Sequence, residues 1–166
     1  MNYLQNNIIG NYYNHIAGKK FEILNLSRRN YEVIEEINPI IFNFNLHFLK
    51  LSEELNNHLK LQEEIIFPAI MDILNAGSCT DILNNLSLRD VIKEANKNQD
   101  EIVKELNIIR KQRENILFSG SSASFYKKLY SLTLDFEKAV QFQLHLENSI
   151  LYPEALFLEE EAKIWE

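Results

Sequence analysis

Two stretches of the sequence each place two polar side chains four residues apart in an apolar setting. His58 and Gln62 form the first pair, and Gln143 and Glu147 form the second. In a helix, residues at i and i+4 share one face, so each pair projects to one side. The surrounding positions on these faces are Leu, Ile and Phe. Polar groups buried there are costly unless they bind a ligand or each other, and imidazole and carboxylate groups are typical ligands of a metal ion.

The two stretches also repeat one another along the chain. Each polar pair is followed, at the same interval, by two apolar residues, an aromatic residue and a proline, which are Pro68 and Pro153. His15 on the first predicted helix and Gln99 on the third are predicted to occupy equivalent inward positions. Polar side chains that face one another from four helices at one level are the way carboxylate-bridged di-iron sites are built. The pattern therefore predicts a polar layer inside a helical bundle.

The elements that would position this layer are long helices. The 166 residues include only 4 Gly and 3 Pro, which is too few for a fold of many short elements and tight turns. Apolar spacing predicts a first helix over about 4–29, and the state of the short segment 31–37 stays open. The remaining signals predict an all-α fold, an antiparallel up-down-up-down four-helix bundle that forms a single domain over 1–166.

Capping residues mark the other three predicted helices. Asn38 and Pro39 predict the start of a second helix that continues to about Asn75, with a kink near Phe67. The third helix is predicted to begin behind the capping residue Ser87 and to end near 117. The fourth is predicted to begin at about 124 and to be interrupted by its proline near the end.

Composition excludes several classes of protein. The net charge of −7 is spread along the chain without a basic block, so a nucleic-acid partner is not expected. The single cysteine, Cys79, excludes a disulfide framework and cysteine-based zinc sites. The sequence has neither a signal-peptide pattern nor an apolar run of about 18 residues. We therefore expect a cytoplasmic protein with no membrane partner, and whether it is an enzyme stays open because no nucleophile–base pair or phosphate loop is recognisable.

On these two repeats, the chain resembles the hemerythrin-like HHE family, and most closely its bacterial repair-of-iron-centres (RIC) di-iron proteins, over almost its full length. The matching stretches run from His58 to Pro68 and from Gln143 to Pro153, and His15 matches a histidine of the family's first helix. The resemblance implies a hemerythrin-like bundle that binds non-haem iron. It also implies a role in oxidative or nitrosative stress, by iron delivery or by sensing oxygen or nitric oxide.

The chain departs from this family at three ligand positions. The family's histidine ligands on the third and fourth helices correspond to Gln99 and Gln143, and the bridging glutamate of the first repeat corresponds to Gln62. Glutamine is uncharged and a poor ligand for iron, whereas a bridged di-iron centre needs carboxylates and imidazoles. These departures from the family pattern therefore favour one ion over two.

By analogy with the family, the remaining ligands are His15, His58 and Glu147, a two-histidine, one-carboxylate set of the mononuclear non-haem iron type. A further carboxylate would come from Glu36 or Glu35, which align loosely with another family histidine. An open coordination position on that iron would bind a diatomic ligand. The alternative is a metal-free bundle in which these groups hydrogen-bond to the three glutamines and which acts as a regulatory or protein-interaction module.

Two histidines are predicted to lie outside this ligand set. His47 is eleven residues before His58, about three helical turns away, and is predicted to be a satisfied core residue. His145 is predicted to lie on the far side of its helix.

Overall fold

The computed structural model describes residues 10–33, 39–76, 87–118 and 124–164, and within these ranges every residue except Ser87 is helical. The α-helices are α1 (Gly10–Val33), α2 (Pro39–Leu61), α3 (Phe67–Ala76), α4 (Leu88–Phe118), α5 (Ser124–Leu146) and α6 (Tyr152–Ile164). Two π-helical turns, Gln62–Ile66 and Glu147–Leu151, join α2 to α3 and α5 to α6 without a break. The described chain is therefore a bundle of four long helices. None of the described helices has the length and apolar composition that a bilayer-spanning segment needs.

The start of α4 is fixed by side chains that cap it. The backbone N–H of Asp90 donates to Ser87 Oγ at 3.1 Å, and the Ser87 hydroxyl donates to the Asp90 carboxylate at 2.6 Å. The carboxylate of Glu159 on α6 accepts the backbone N–H of Leu88 at 2.7 Å. These acceptors satisfy N–H groups that the first turn of a helix leaves free. The predicted cap at Ser87 is present, and it ties the start of α4 to α6.

Each long helix packs against two neighbours. Contacts join α1 to α2 and α5, and they join α4 to α2 and α5. Along α1, and along α5 with the π-helical turn that follows it, the order of the paired residues is reversed, since Tyr13 pairs with Glu147 whereas Lys19 pairs with Asp135. The four helices thus enclose a common interior.

The apolar interior consists of two clusters with polar residues between them. The first cluster includes Phe44, Phe48 and Phe136, and the second includes Ile70 and Leu151. Four buried polar residues of the two repeats, together with Gln99, lie near the places along the chain where the first cluster meets the second: His58, Gln62, Gln99, Gln143 and Glu147. We call these five residues the polar layer. Apolar side chains on both sides shield the polar layer from water.

Candidate functional site

The centre of the polar layer is the carboxylate of Glu147, which is fully buried at the first position of the second π-helical turn. Its Oε1 accepts hydrogen bonds from the Tyr13 hydroxyl at 2.7 Å and from Gln143 Nε2 at 2.8 Å. Its Oε2 lies 2.8 Å from His58 Nε2 and accepts a hydrogen bond from Gln99 Nε2 at 2.7 Å. Side chains from α1, α2, α4 and α5 therefore converge on one carboxylate.

Tyr152 connects the two repeats within this site. Its hydroxyl lies 3.4 Å from Oε2 of Glu147 and accepts a hydrogen bond from Gln62 Nε2 at 2.5 Å. Asn148 donates to the side-chain oxygen of Gln99 at 2.7 Å, which orients that amide. Gln62 is the counterpart of Glu147 in the first repeat. The Tyr152 hydroxyl therefore links the Gln62 amide to the Glu147 carboxylate.

Hydrogen bonding keeps Glu147 ionised despite its burial. Burial raises the pKa of this carboxyl, but hydrogen bonding and attraction from His58, with hydrogen bonds from Tyr13 and Gln143, outweigh burial and hold the pKa below its ordinary value of 4.5. Burial and the nearby Glu147 charge raise the pKa of both Tyr13 and Tyr152. With protein groups alone in the layer, both tyrosines are neutral phenols at neutral pH.

Three buried polar atoms of the layer have no hydrogen-bond partner. They are Nδ1 of His58, Oε1 of Gln62 and Oε1 of Gln143, on residues that are 1%, 0% and 2% exposed. In the described part of the chain, the one other such atom is Nε of Arg113. A buried polar atom without a partner costs about 1–3 kcal/mol. The protein groups alone therefore do not satisfy the layer.

The structure brings His58 and Glu147 together but does not bring His15 to them. The inward face of α1 passes through Tyr13, Ile16 and Ile23, and His15 is exposed on another side of the helix. This corrects the inward placement expected for His15, since Tyr13 is the α1 residue that reaches the layer.

The rest of the expected ligand set is not assembled among the described residues. Glu36 and Glu35 lie outside the described residues. Within the ranges that the structure describes, no group of three or more His, Cys, Asp and Glu side chains is placed to hold a metal ion. His58 and Glu147 are thus the two expected ligands that the described structure brings together.

The donor atoms of the layer do not fit a bridged di-iron centre. The layer has one carboxylate and one imidazole, and its other polar groups are amides, whereas di-iron bundles use several carboxylates and histidines. A single ion fits the donors better, because carboxylate, phenol and amide oxygens are hard ligands and because polar atoms of the layer lack partners.

Neither tyrosine of the site was assigned a polar role from the sequence. Tyr152 occupies the aromatic position before Pro153, where the first repeat has Phe67. The hydroxyl that distinguishes this tyrosine from phenylalanine at an inward position was an available signal. Tyr13 lies three residues before Ile16, which is the spacing of one helix face.

A second buried carboxylate lies outside the polar layer, on α4. Glu105 is 1% exposed, and it accepts a hydrogen bond from Lys50 at 2.5 Å and lies 2.9 Å from Nδ1 of His47. His47 is 30% exposed, so it lies at the edge of the bundle and is not enclosed in its core. These contacts join α2 to α4 away from the layer.

Acidification should remove the stabilisation that Glu105 provides. Burial raises the pKa of this carboxyl, but hydrogen bonds from Lys50 and His47 outweigh burial and hold the pKa below its ordinary value of 4.5. A group with a lowered folded-state pKa stabilises the protein above its unfolded-state pKa, and this contribution is lost as the pH falls through the folded-state pKa. We expect the gap in unfolding free energy between wild type and Glu105→Gln to be largest at about pH 5.5 and to decrease as the pH falls to about 3.

Urea denaturation at a series of pH values measures this gap. The exposed Glu160, paired with Arg89, supplies the control variant Glu160→Gln, whose gap should be small throughout. A gap for Glu105→Gln that does not change with pH would contradict the assignment.

The chain is similar to proteins named iron-sulfur cluster repair protein YtfE from Yersinia pestis (strain Pestoides F) and Yersinia pseudotuberculosis serotype O:1b (strain IP 31758). In both, 25% of residues are identical over 104 residues, which is 63% of this chain and 42% of the relative. The match therefore spans less than half the length of these relatives. No family model and no solved structure matches the chain. The chain is a distant relative of proteins named for iron–sulfur cluster repair.

Proposed function

We propose that the chain is a single hemerythrin-like domain with up-down-up-down topology, close to the RIC proteins, which binds one iron ion in its polar layer. Its role would be in a cytoplasmic response to oxidative or nitrosative stress. The repeated motif and the distant similarity to proteins named for iron–sulfur cluster repair support the family and the iron. The reversed order of contacts between α1 and α5 supports the topology.

The observation that carries this proposal is the set of three unpartnered polar atoms in the layer around the Glu147 carboxylate. A layer that had become purely structural would be expected to pair its buried polar atoms. In this layer the amides of Gln62 and Gln143 each use their nitrogen and leave their oxygen free. A bound cation would satisfy such lone pairs.

His58 and Glu147 would hold the ion, and Glu36 stays a predicted further ligand. The hydrogen bonds to Glu147 keep it ionised, so a carboxylate is ready at neutral pH. The apolar clusters on either side of the layer limit the access of water. A bound iron would supply a coordination position for a diatomic ligand such as oxygen or nitric oxide. We propose no enzymatic reaction.

The metal content of the purified chain after anaerobic reconstitution with ferrous iron tests the proposal. We expect about one iron per chain in the wild type and a loss of iron in His58→Ala, because a principal ligand is removed. His145→Ala is the matched control, since His145 is exposed and lies 3.2 Å from Ser149 away from the layer. A wild-type protein that retains no iron would overturn the proposal, as would equal iron in the two variants.

A metal-free regulatory or protein-interaction module is the second candidate function. It is favoured by the Glu147 carboxylate, each of whose oxygens already has at least two hydrogen-bonding neighbours. Thermal unfolding distinguishes the two functions, because a ligand at 1,000 times its Kd stabilises the folded state by about 4 kcal/mol. A melting temperature that responds to neither iron nor chelator would favour the metal-free module.

A further inference from the structure

Two glutamines of the polar layer each have a free side-chain oxygen beside a proposed metal ligand. Oε1 of Gln62 and Oε1 of Gln143 are buried and have no hydrogen-bond partner. Gln62 lies four residues after His58, and Gln143 lies four residues before Glu147. Residues at i and i+4 share one helix face, and ligands with this spacing bind one metal ion in other helical sites. Each of the two expected ligands thus has a free amide oxygen on its own helix face.

The nitrogens of these two amides fix their orientation. Nε2 of Gln143 donates to Oε1 of Glu147 at 2.8 Å, and a reversed amide would place its oxygen against the carboxylate. Nε2 of Gln62 donates to the Tyr152 hydroxyl at 2.5 Å and lies 3.5 Å from Nε2 of His58. Because both nitrogens are occupied, the two oxygens are left as acceptors, and a buried acceptor without a partner is costly.

Gln99, the third glutamine of the layer, is paired at both ends of its amide. Its Nε2 donates to Oε2 of Glu147 at 2.7 Å, and its Oε1 accepts a hydrogen bond from Nδ2 of Asn148 at 2.7 Å. The layer can therefore satisfy an amide completely with protein groups. The free oxygens are a property of Gln62 and Gln143 and not of every amide in the layer.

We infer that Gln62 and Gln143 bind the ion through their side-chain oxygens, and that with His58 and Glu147 they select a divalent cation over a trivalent one. This inference rests on the proposed function, and it names further ligands and the oxidation state, ferrous, in which the iron is held. From the sequence, both glutamines were set aside as ligands because an amide is uncharged. Amide oxygens are nevertheless ligands of hard cations in proteins.

The charge of this donor set favours a divalent ion. The set has one carboxylate, two neutral amides and one imidazole, and imidazole binds a metal in its neutral form. A single negative charge compensates a larger share of a divalent charge than of a trivalent one, and uncompensated charge is costly in a buried site. Oxygen ligands of this kind also suit Mn²⁺, which is stable in air and therefore serves as a probe of the same donors.

Titration of the metal-free protein with Mn²⁺ tests the ligand assignment, with the electron paramagnetic resonance signal of the free ion as readout. We expect Gln62→Leu and Gln143→Leu, which remove the amide oxygen, to weaken Mn²⁺ binding at least about tenfold. We expect Gln62→Glu and Gln143→Glu, which keep an oxygen and add charge, to bind Mn²⁺ at least about tenfold more tightly. A glutamine that acted only as an N–H donor would give the opposite result, because glutamate has no N–H. Circular dichroism checks that each variant is folded, and the glutamate variants decide alone if a leucine variant does not fold.

Two further variants control for the added charge. Gln99→Glu adds the same charge to the same layer at a residue whose oxygen is already paired with Asn148, so its gain in affinity should be smaller than that of Gln62→Glu. Gln141→Glu adds it at an exposed position of α5 and should bind Mn²⁺ as the wild type does. Equal gains in Gln62→Glu and Gln99→Glu would overturn the ligand assignment, as would unchanged binding in both leucine variants.

Reconstitution with ferrous iron under anaerobic conditions, and separately with ferric nitrilotriacetate, tests the selection of oxidation state. We expect the wild type to retain ferrous iron and not ferric iron after desalting, and we expect Gln62→Glu to gain in ferric retention because it adds a negative charge to the donor set. A wild-type protein that retains ferric iron as well as it retains ferrous iron would overturn the inference and leave the proposed function standing. A wild-type protein that retains iron in neither oxidation state would overturn both.

Discussion

Replacing Glu137 with alanine should lower the free energy of unfolding by about 3–5 kcal/mol, the cost of removing one partner from a buried ion pair. The Glu137 side chain is 7% exposed, and its Oε2 accepts a hydrogen bond from Nη1 of Arg113 at 2.6 Å. Nε of Arg110 donates to the other oxygen at 2.7 Å. Because the Arg113 side chain is only 4% exposed, the substitution leaves a guanidinium charge inside the bundle without its carboxylate. Urea denaturation measures the loss.

The exposed pair of Arg89 and Glu160, with side chains 54% and 62% exposed, provides the comparison. Glu160→Ala should cost no more than about 1 kcal/mol, because solvent screens surface ion pairs. In the double variant Arg113→Met, Glu137→Leu, most of the lost stability should return, since a buried pair replaced by apolar residues of similar volume is often neutral. Equal losses in Glu137→Ala and Glu160→Ala would contradict the explanation.

Glu147→Gln should abolish iron binding and lower the free energy of unfolding by about 1–3 kcal/mol. The substitution removes the one carboxylate of the polar layer, so a bound cation loses its anionic ligand. It also replaces one acceptor oxygen by an NH₂ group, and the donors that faced this oxygen lose their acceptor. Metal analysis after reconstitution and urea denaturation measure the two effects.

Glu105→Gln is the matched control for Glu147→Gln. It also neutralises a buried carboxylate that accepts hydrogen bonds, but it lies outside the polar layer. It should lose stability and keep iron. Iron retained in Glu147→Gln, or lost equally in both variants, would show that the Glu147 carboxylate is not the anchor of the metal site.

The starts of the helices and one half of the site could be predicted from the sequence. Pro39 begins α2 and Ser87 caps α4, as their local chemistry predicts. Spacing within each repeat predicted that His58 and Glu147 face inward, the resemblance to the family put them in one ligand set, and the two side chains lie 2.8 Å apart. The helix starts and the inward direction of each pair depend on neighbours within a few residues along the chain, which a single sequence displays directly.

The rotation of α1 could not be predicted in the same way. The expected face and the observed face share Ile16 and Ile23, so apolar spacing alone does not choose between them. The observed face also carries Ser27, which is 3% exposed and bonds the backbone oxygen of Ile23 at 2.9 Å. Because Ser27 is polar, apolar spacing did not indicate this face of α1 as the inward one. His15 was therefore placed inward in the position that Tyr13 occupies.

The sequence pattern also did not predict the π-helical turns. Pro68 predicted a kink, because proline has no N–H for the helical hydrogen bond and its ring crowds the preceding turn. The structure has wider turns at these places, in which the N–H of Phe67 donates to the Gln62 oxygen and that of Tyr152 donates to the Glu147 oxygen. A proline pattern does not show that the turn before it is widened by one residue.

These turns also determine how the two halves of the chain tolerate changes in length. A π-helical turn contains one residue more than the α-helical turn it replaces, so it is equivalent to a single insertion. Deleting one residue within Gln62–Ile66 would therefore return this turn to α-helical geometry and keep the orientation of the residues that follow. Ile70 and Ile73, buried in the second apolar cluster, would still face it. Deleting a second residue would rotate them by about 100° relative to α2 and turn them away from the cluster. Each widened turn thus lets its helix lose one residue, but not two, without turning its buried face outward.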